Sequence, residues 1–212
     1  MAFIEKGDKI LYERKKMGEI KLPPVLKKGK VSLEETLTAR RSVRNYKNEP
    51  LTLQEVSQLL WACDGKTAEW GGRTSPSAGA TYPLEIYVVV GNVEGIEPGL
   101  YHYIVENHSL VEVKKGDLRK KLSSVCLNQT MVVEAPVSIV ISGIFERTTG
   151  RYGERGKRYV FMEVGHCGQN IHLQSEALGL GTVMIGAFDD EGVRKVLGIK
   201  EDVFYICPVG KK

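Results

Sequence analysis

The sequence of 212 residues predicts an α+β fold. Helix and strand patterns alternate along the chain, but too few β-α-β units occur for a doubly wound parallel sheet. The content of 42% hydrophobic and 26% charged residues is ordinary for a globular protein, and no repeat recurs along the chain. We therefore expect one domain over residues 32–212, preceded by an extended, charged arm formed by residues 1–31.

The first two helices of the domain are each predicted from a capping box. In such a box a serine or threonine caps the helix, and a glutamate three residues later binds back to the cap. Ser32 and Glu35 have this spacing, and so do Thr52 and Glu55. Gly65 is predicted to end the second helix.

The later elements are predicted from apolar runs and from helical spacing. In chain order they are a strand at 85–91, two short strands within 99–113, a helix at 116–128, a buried strand at 136–145, a glycine-rich basic loop or lid at 146–158, a long helix over 159–181, a strand at 182–188, a short helix at 189–199 and a last strand at 203–210. Gly165 and Gly168 share one face of the long helix. A glycine inside a helix costs about 1 kcal/mol relative to alanine, so this face is predicted to lie close to another surface.

Several classes of protein are excluded or disfavoured by composition. The four cysteines lie far apart without a C-x-x-C pair, which indicates buried free thiols and no metal site. The longest apolar runs are shorter than the ~20 residues that span a bilayer, and Met1–Ile10 is no signal peptide, so we expect a cytoplasmic protein. The net charge of +4 is mild, and the lysines at 27, 28 and 30 lack interleaved aromatic residues, so no nucleic-acid binding is expected.

A cluster of basic residues follows the first helix, in the stretch "ARRSVRNY" (39–46). Arg40, Arg41 and Arg44 supply charged donors in a geometry that suits phosphate oxygens, and Ser42 adds a hydroxyl. The alternative is that these cations only complement the dipole at the end of the helix. The residues alone leave both interpretations open.

A run of small residues precedes the first long strand, in "SPSAGATYPLEIYVVV" (75–90). So many small side chains in succession indicate that another group lies very close to this backbone. No nucleophile–base arrangement and no closely spaced acidic pair is visible, so a bound cofactor is the expected source of reactivity. The stretch "LGLGTVMIG" (178–186) ends a helix and opens a strand, which is the reverse of a dinucleotide-binding fingerprint.

Four motifs in this order resemble the nitroreductase family of flavoproteins: "RRSVRNY", "PSAGATYPLEIYVV", "GHCGQNIHLQSEALGLGTVMIGAF" and the terminal "PVG". The "PSAG–YPLE" form is most similar to the SagB-type dehydrogenase branch, named for members that oxidise azoline rings in modified peptides. The resemblance covers residues 32–212. It implies a central, mostly antiparallel sheet flanked by helices, and an intertwined homodimer with FMN at the subunit interface.

The resemblance also implies the cofactor-binding residues. Arg40, Arg41, Ser42 and Arg44 match positions that hold the FMN phosphate and reach the pyrimidine edge of the ring. Pro76, Ser77, Ala78 and Gly79 match a segment of the opposite subunit that lies against the ring. Met184, Ile185, Gly186 and Ala187 match a loop whose amides face the reactive N5, and Gln129 is a further polar contact. Many members carry further basic phosphate ligands in a C-terminal extension, whereas this chain ends at Lys211 and Lys212. These two lysines are either the substitute for those ligands or a solvated tail.

The resemblance implies an FMN-dependent NAD(P)H oxidoreductase that acts on nitroaromatics, quinones or similar acceptors by a ping-pong mechanism, without a catalytic side chain or a metal. Two alternatives stay open. One is a SagB-like oxidase of azoline rings in a peptide, which would need partner proteins. The other is a flavin-binding module without turnover.

Overall fold

A computed structural model describes residues 18–212, and within them the fold is built on one seven-stranded sheet. The strands are β1 (Glu19–Lys21), β2 (Leu84–Val90), β3 (Gly99–Ile104), β4 (Ser109–Lys115), β5 (Val137–Gly143), β6 (Leu180–Thr182) and β7 (Asp202–Lys211). Their order in the sheet is β1-β4-β3-β2-β5-β7-β6. All neighbouring strands pair antiparallel, which confirms the α+β class and the antiparallel sheet.

Seven α-helices flank this sheet in the described part of the chain: α1 (Leu33–Ala39), α2 (Leu53–Asp64), α3 (Arg119–Val125), α4 (Thr130–Glu134), α5 (Phe145–Tyr152), α6 (Arg155–Ala177) and α7 (Asp190–Leu197). Both predicted capping boxes are present. The Ser32 hydroxyl accepts from the Glu35 amide at 3.2 Å, and Thr52 accepts from the Glu55 amide at the same distance. Gly65 follows the last residue of α2, as predicted.

The two faces of the sheet bury two separate cores. Along β2, Ile86, Val88 and Val90 pack on one face with α2 and α6. Tyr87 and Val89 point to the other face and pack with residues of α3, α4 and α7. Successive side chains of a strand alternate between faces, so the continuous apolar run of this central strand supplies both cores.

The predicted loop or lid at 146–158 is wrong, because these residues are helical. They form most of α5 and the start of α6, separated by a turn at Gly153, whose φ is +58°. Gly156 lies where the two helices meet, and a Cβ at this position would come within 2.8 Å of the Thr149 amide nitrogen. The glycines that suggested a loop therefore permit a tight corner between two helices.

Two further boundaries differ from the prediction. The strand predicted at 182–188 is shorter, since β6 ends at Thr182 and afterwards only Ile185 forms a bridge, to Ile206. The predicted arm contributes β1 at the sheet edge, where it pairs with β4. Residues 1–17 of that arm lie outside the described residues.

All four cysteines are buried and free. Among residues 18–212, no three side chains of metal-ligand type are clustered, and no helix there is long and apolar enough to cross a membrane.

Candidate functional site

The segment of small residues before β2 has an unusual backbone. A 3-10 turn spans Ala78–Ala80. Gly79, Ala80 and Tyr82 all have positive φ, at +60°, +52° and +44°. For a residue with a Cβ this conformation costs about 1–2 kcal/mol. Clustered backbone strain of this kind is typical of functional sites, where the surrounding structure enforces it.

Hydrogen bonds from two helices hold the start of this segment. The buried Ser75 hydroxyl donates to the carbonyl of Cys63 in α2 at 2.7 Å. It also accepts from the Cys167 thiol at 3.3 Å and from the Asn170 amide at 3.1 Å, both in α6. Ser77 accepts from the Tyr82 amide at 3.0 Å, which closes the turn on itself.

Helix α5 holds the other side of the segment. The Arg151 guanidinium donates to the Gly79 carbonyl at 2.9 Å, and the hydroxyls of Thr81 and Thr148 lie 2.8 Å apart. A Cβ at residue 79 would lie 2.5 Å from the Tyr152 hydroxyl. Glycine is therefore required here both by φ and by space.

Buried charges lie beneath this segment. The Asp64 carboxylate is fully buried at the end of α2 and is paired with Arg73. Burial raises the pKa of Asp64 to about 6, although Arg73 opposes the shift. The Arg73 guanidinium carbon also lies 4.3 Å from the centre of the Tyr82 ring, so one cation supports both the carboxylate and the strained tyrosine.

Glu85, the second residue of β2, pairs with two basic groups. Its carboxylate lies 2.6 Å from His102 Nε2 and 2.5 Å from an Arg147 nitrogen. Burial by itself raises the pKa of Glu85, but the hydrogen bonds and charges of His102 and Arg147 lower it to about 2. Arg147 also donates to the Tyr82 carbonyl at 3.1 Å, which connects this cluster to the end of the small-residue segment.

The basic cluster lies directly after α1 and next to β6. Ser42 forms a parallel bridge with Thr182, and the Val43 amide donates to the Thr182 carbonyl at 2.9 Å. The Arg41 guanidinium donates to two nearby carbonyls. Within the described chain, the guanidinium groups of Arg40 and Arg44 have no hydrogen-bond or ion-pair partner, so these two are the available donors.

The loop after β6 combines buried and exposed residues. The Ile185 amide donates to the Ile206 carbonyl at 2.9 Å and is therefore not available to a ligand. The Met184 sulfur accepts from the Cys207 thiol at 3.2 Å. Gly186 and Ala187 are exposed, and no described residue accepts from their amides. The Gln129 side chain donates to the Ala187 carbonyl at 3.1 Å and holds this loop in place.

The terminal lysines already have partners. The Lys211 ammonium is ion-paired with Glu55 in the capping box of α2, and Lys212 lies 2.5 Å from a Glu176 oxygen. Each charge is therefore compensated within the protomer, and binding of the FMN phosphate by these lysines stays a prediction.

The structure brings some candidate residues together and keeps others apart. The basic cluster and the 184–187 loop are neighbours through Thr182. Across residues 18–212, no hydrogen bond connects either of them to residues 76–79. Cavities of about 730 and 640 Å³ lie beside residues 24–36, α2 and α6, and no candidate cofactor residue lines them. Within one protomer, hydrogen bonds therefore do not assemble these two groups of residues into a single site.

Sequence reasoning missed the buried charges at Asp64 and Glu163 and the half-buried charges at Arg73 and Glu85. Three of these acids interrupt apolar patterns: Asp64 ends an apolar helix, Glu85 opens the run "IYVVV", and Glu163 lies among apolar residues of α6. A charged residue at a position that periodicity assigns to the core is a usable signal, since such groups are rarely buried without a role.

An antiparallel sheet flanked by helices, with the basic cluster and the exposed amides of Gly186 and Ala187 beside its β6 edge, defines the class of the protein as α+β. The model of the nitroreductase family matches residues 37–211. A predicted nitroreductase of Methanocaldococcus jannaschii is 49% identical over 92% of this chain and 96% of its own length. The chain belongs to the nitroreductase family, a family of oxidoreductases.

Three further similarities extend the comparison. A crystal structure of a predicted nitroreductase from Anabaena variabilis superposes with a TM-score of 0.83 at 30% identity, covering 94% of this chain and 42% of that one. The microcin B17-processing protein of Escherichia coli is 28% identical over 61% of this chain and 49% of its own length. A chain of the Escherichia coli microcin synthetase complex shares the fold, with a TM-score of 0.71 at 21% identity and coverage of 94% of this chain and 80% of that one.

Proposed function

We propose that the protein is an FMN-dependent oxidoreductase that passes a hydride from NAD(P)H to an organic acceptor such as a nitroaromatic or a quinone. One observation carries this proposal: the segment with Arg40 and Arg44 lies beside the loop with the exposed amides of Gly186 and Ala187. Family membership supports the oxidoreductase class, and the arrangement of donors supports FMN as the cofactor.

The residues present fit FMN chemically. A phosphate needs charge-assisted donors, and two guanidinium groups without a partner in the described chain provide them. The ring carries electronegative atoms at its edge, and the amides of Gly186 and Ala187 can donate to them. A Cβ at Gly186 would meet only the Tyr205 ring, at 3.5 Å or more. This loop is therefore open to a planar group.

FMN, when bound, supplies the hydride chemistry, and the chain supplies orientation and electrostatics. Arg40 and Arg44 hold the phosphate, and Ser42 adds a hydroxyl. The amides of Gly186 and Ala187 donate at the edge of the ring, while Gln129 keeps their loop in place through Ala187. The positive charges of the basic cluster stabilise a negatively charged group that is bound at the site. No side-chain acid, base or nucleophile is required in this scheme.

The functional unit is proposed to be a homodimer, with residues 76–79 of one subunit completing the site of the other. The protomer exposes large apolar side chains on two helices: Leu33 and Leu37 in α1 are 60% and 52% exposed, and Phe161 and Met162 in α6 are 55% and 52% exposed. Exposed apolar side chains clustered in this way are typical of interfaces. The absence of a hydrogen bond between residues 76–79 and the other candidates among residues 18–212 is compatible with a shared site.

Absorbance and steady-state kinetics test the proposal. The purified protein is expected to show flavin bands and to release FMN on heating. NAD(P)H and a quinone would use one open face in turn, so initial rates at several fixed quinone concentrations should give parallel double-reciprocal lines. Intersecting lines would show that both substrates bind together. A protein that binds FMN but does not oxidise NAD(P)H would be a flavin carrier instead.

A second candidate function follows from the similarity to the microcin B17-processing protein and from the shared fold with a chain of a complex that holds truncated pro-MccB17. In this case the FMN-loaded protein would oxidise azoline rings in a peptide, together with partner proteins. Incubation with an azoline-containing peptide, followed by mass spectrometry for the loss of two hydrogens per ring, distinguishes this candidate from quinone reduction.

A further inference from the structure

We propose that Glu163 is a positioning residue for the FMN site: as a neutral acid behind Ser77 it keeps residues 77–82 in their flavin-binding conformation. This inference rests on the proposed function, since it assigns a role to residues 77–79 at the flavin. Glu163 lies outside the four sequence motifs that resemble the nitroreductase family.

Glu163 lies on the face of α6 that holds the small-residue segment. Residues 163, 167 and 170 are separated by four and three positions, so their side chains share one face of the helix. Cys167 and Asn170 both donate to Ser75. Glu163 interacts with the next serine of the segment, Ser77. Helix α6 therefore contacts Ser75 through Cys167 and Asn170, and Glu163 follows on the same helical face.

The hydrogen bonds around Ser77 define the direction of the interaction. Its oxygen accepts from the Tyr82 amide at 3.0 Å, so its own hydrogen is available to the Glu163 carboxyl. The second carboxyl oxygen, Oε1, is buried and has no partner among the described residues. Glu163 as a whole is only 2% exposed. An ionised carboxylate with an unsatisfied buried oxygen is costly, and a proton on the carboxyl removes its net charge.

The charges that face Glu163 do not compensate an ionised form. Asp64, from α2, is an acid, and Arg73, from the loop after α2, is already bound to Asp64 and to the Tyr82 ring. Burial raises the pKa of Glu163 to about 7, and the charge of Asp64 adds to the shift, while Ser77 and Arg73 oppose it. Near neutral pH the neutral acid and the carboxylate are therefore both accessible.

Ionisation of Glu163 would affect the strained backbone of residues 77–82 through Ser77. The Ser77 hydroxyl connects Glu163 to the Tyr82 amide, and Tyr82 has a positive φ held only by its surroundings. A carboxylate in the buried site would draw Arg73 away from Asp64 and Tyr82, or would draw water into the site. Either change loosens residues 77–82, so flavin binding should weaken as pH rises through 7.

The dissociation constant for FMN between pH 5.5 and 8.5 tests this inference, measured by quenching of flavin fluorescence in the reconstituted full-length protein. If only the neutral acid binds well, the wild type should bind FMN about tenfold more weakly at pH 8 than at pH 6, relative to Glu163→Gln at the same pH. In Glu163→Gln, residue 163 cannot ionise. Every other titrating group, including the FMN phosphate, is the same as in the wild type. Glu176→Gln, on the same helix, is the matched control and should follow the wild type.

The outcomes are separable. Parallel profiles for wild type and Glu163→Gln would overturn the role of Glu163 and leave the proposed function intact. Absence of FMN binding in every variant at every pH would overturn the proposed function itself and this inference with it. If Glu163→Gln does not fold, Ser77→Ala in the otherwise native chain should flatten the profile. The ¹³C carboxyl resonance of Glu163 should titrate at or above pH 7 in that variant, because Ser77 no longer lowers the pKa of Glu163, and a midpoint below 5 would refute the inference.

Discussion

The Gln129 side chain donates to the carbonyl of Ala187 at 3.1 Å and connects residues that are 58 positions apart. Gln129 lies at the start of α4, where its amide also donates to the Cys126 carbonyl at 3.0 Å. The glutamine therefore joins the turn between α3 and α4 to the loop that carries the exposed amides of Gly186 and Ala187. Sequence resemblance suggested only a polar contact for this residue, and the structure gives it a positioning role.

Replacement of Gln129 by alanine should loosen the 184–187 loop and weaken FMN binding. A neutral hydrogen bond contributes about 0.5–1.5 kcal/mol, so the dissociation constant should rise by about 2- to 12-fold. Fluorescence titration with FMN measures this change. Gln54→Ala, which removes an exposed amide bound to the Pro24 carbonyl, is the control and should leave FMN affinity unchanged. Equal affinity for the Gln129 variant and the wild type would contradict the positioning role.

Arg40→Ala and Arg44→Ala should weaken FMN binding through the phosphate. Each charge-assisted hydrogen bond contributes about 1.5–3 kcal/mol, which corresponds to a loss of roughly 10- to 150-fold. Riboflavin lacks the phosphate, so its affinity should change little in the same variants. Arg41→Ala provides the comparison within the cluster, since the Arg41 guanidinium already donates to the Thr38 carbonyl at 3.0 Å. If riboflavin and FMN lose affinity equally, these arginines do not bind the phosphate.

The local elements of this fold were predictable because their signals are short in range. Capping boxes at Ser32 and Thr52 and the apolar run of β2 depend on residues within a few positions of each other. The corner at Gly156 was not predictable, since it depends on the approach of two helices whose residues are polar and rich in glycine. The pairing of β1 with β4 was missed because a three-residue edge strand carries almost no pattern.

The candidate site was predictable only in part, for a related reason. The motifs located the basic cluster and the 184–187 loop, whose proximity follows from one bridge between Ser42 and Thr182. The motifs did not indicate that the Ile185 amide donates to the Ile206 carbonyl, or that Lys211 is ion-paired with Glu55. These partners lie 21 and 156 positions away, and no local pattern encodes them.

Gly165→Leu tests the proposed dimer without disturbing the protomer. No described atom lies within 4 Å of a Cβ built at residue 165, whereas one at Gly168 would lie 3.3 Å from the Met184 sulfur and close to Tyr205. Gly168 is thus explained by packing within the chain, and Gly165 is the residue free to contact a second copy. Leucine also favours a helix over glycine by up to about 1 kcal/mol, so the fold of the protomer should persist.

We expect Gly165→Leu to shift the molar mass measured by light scattering from dimer to monomer and to reduce the flavin content. Gly150→Leu, at an exposed glycine of α5 with equally open space, is the matched control and should remain dimeric. A wild-type protein that is monomeric and still holds one FMN per chain would refute the shared site.

Glu85 should stabilise the fold in a pH-dependent way. Its pKa is about 2 in the folded protein and ordinarily 4.5, so its contribution is present above pH 4.5 and is lost as the pH falls towards 2. The shift corresponds to about 3 kcal/mol. Glu85→Gln should therefore lower the free energy of unfolding by a few kcal/mol at pH 6 and by little at pH 2, measured by urea denaturation. An equal loss at both pH values would mean that packing, not charge, explains the effect.

Gly79→Ala should remove flavin from the protein while leaving most of the fold intact. Alanine would be strained at a φ of +60°, and its Cβ would lie 2.5 Å from the Tyr152 hydroxyl. The Cβ would also lie 2.8 Å from an Arg151 nitrogen, so Tyr152→Phe, which deletes the hydroxyl and keeps the ring, tests only the contact with Tyr152. If the contact dominates, the double variant should regain most of the FMN affinity that the single variant loses. The backbone strain alone is worth about 1–2 kcal/mol, or roughly 5- to 30-fold in affinity.

Fluorescence titration of the four proteins in this cycle provides the measurement, with Tyr152→Phe alone as the control. An unchanged affinity in Gly79→Ala would mean that the conformation of residues 77–82 does not matter for flavin binding.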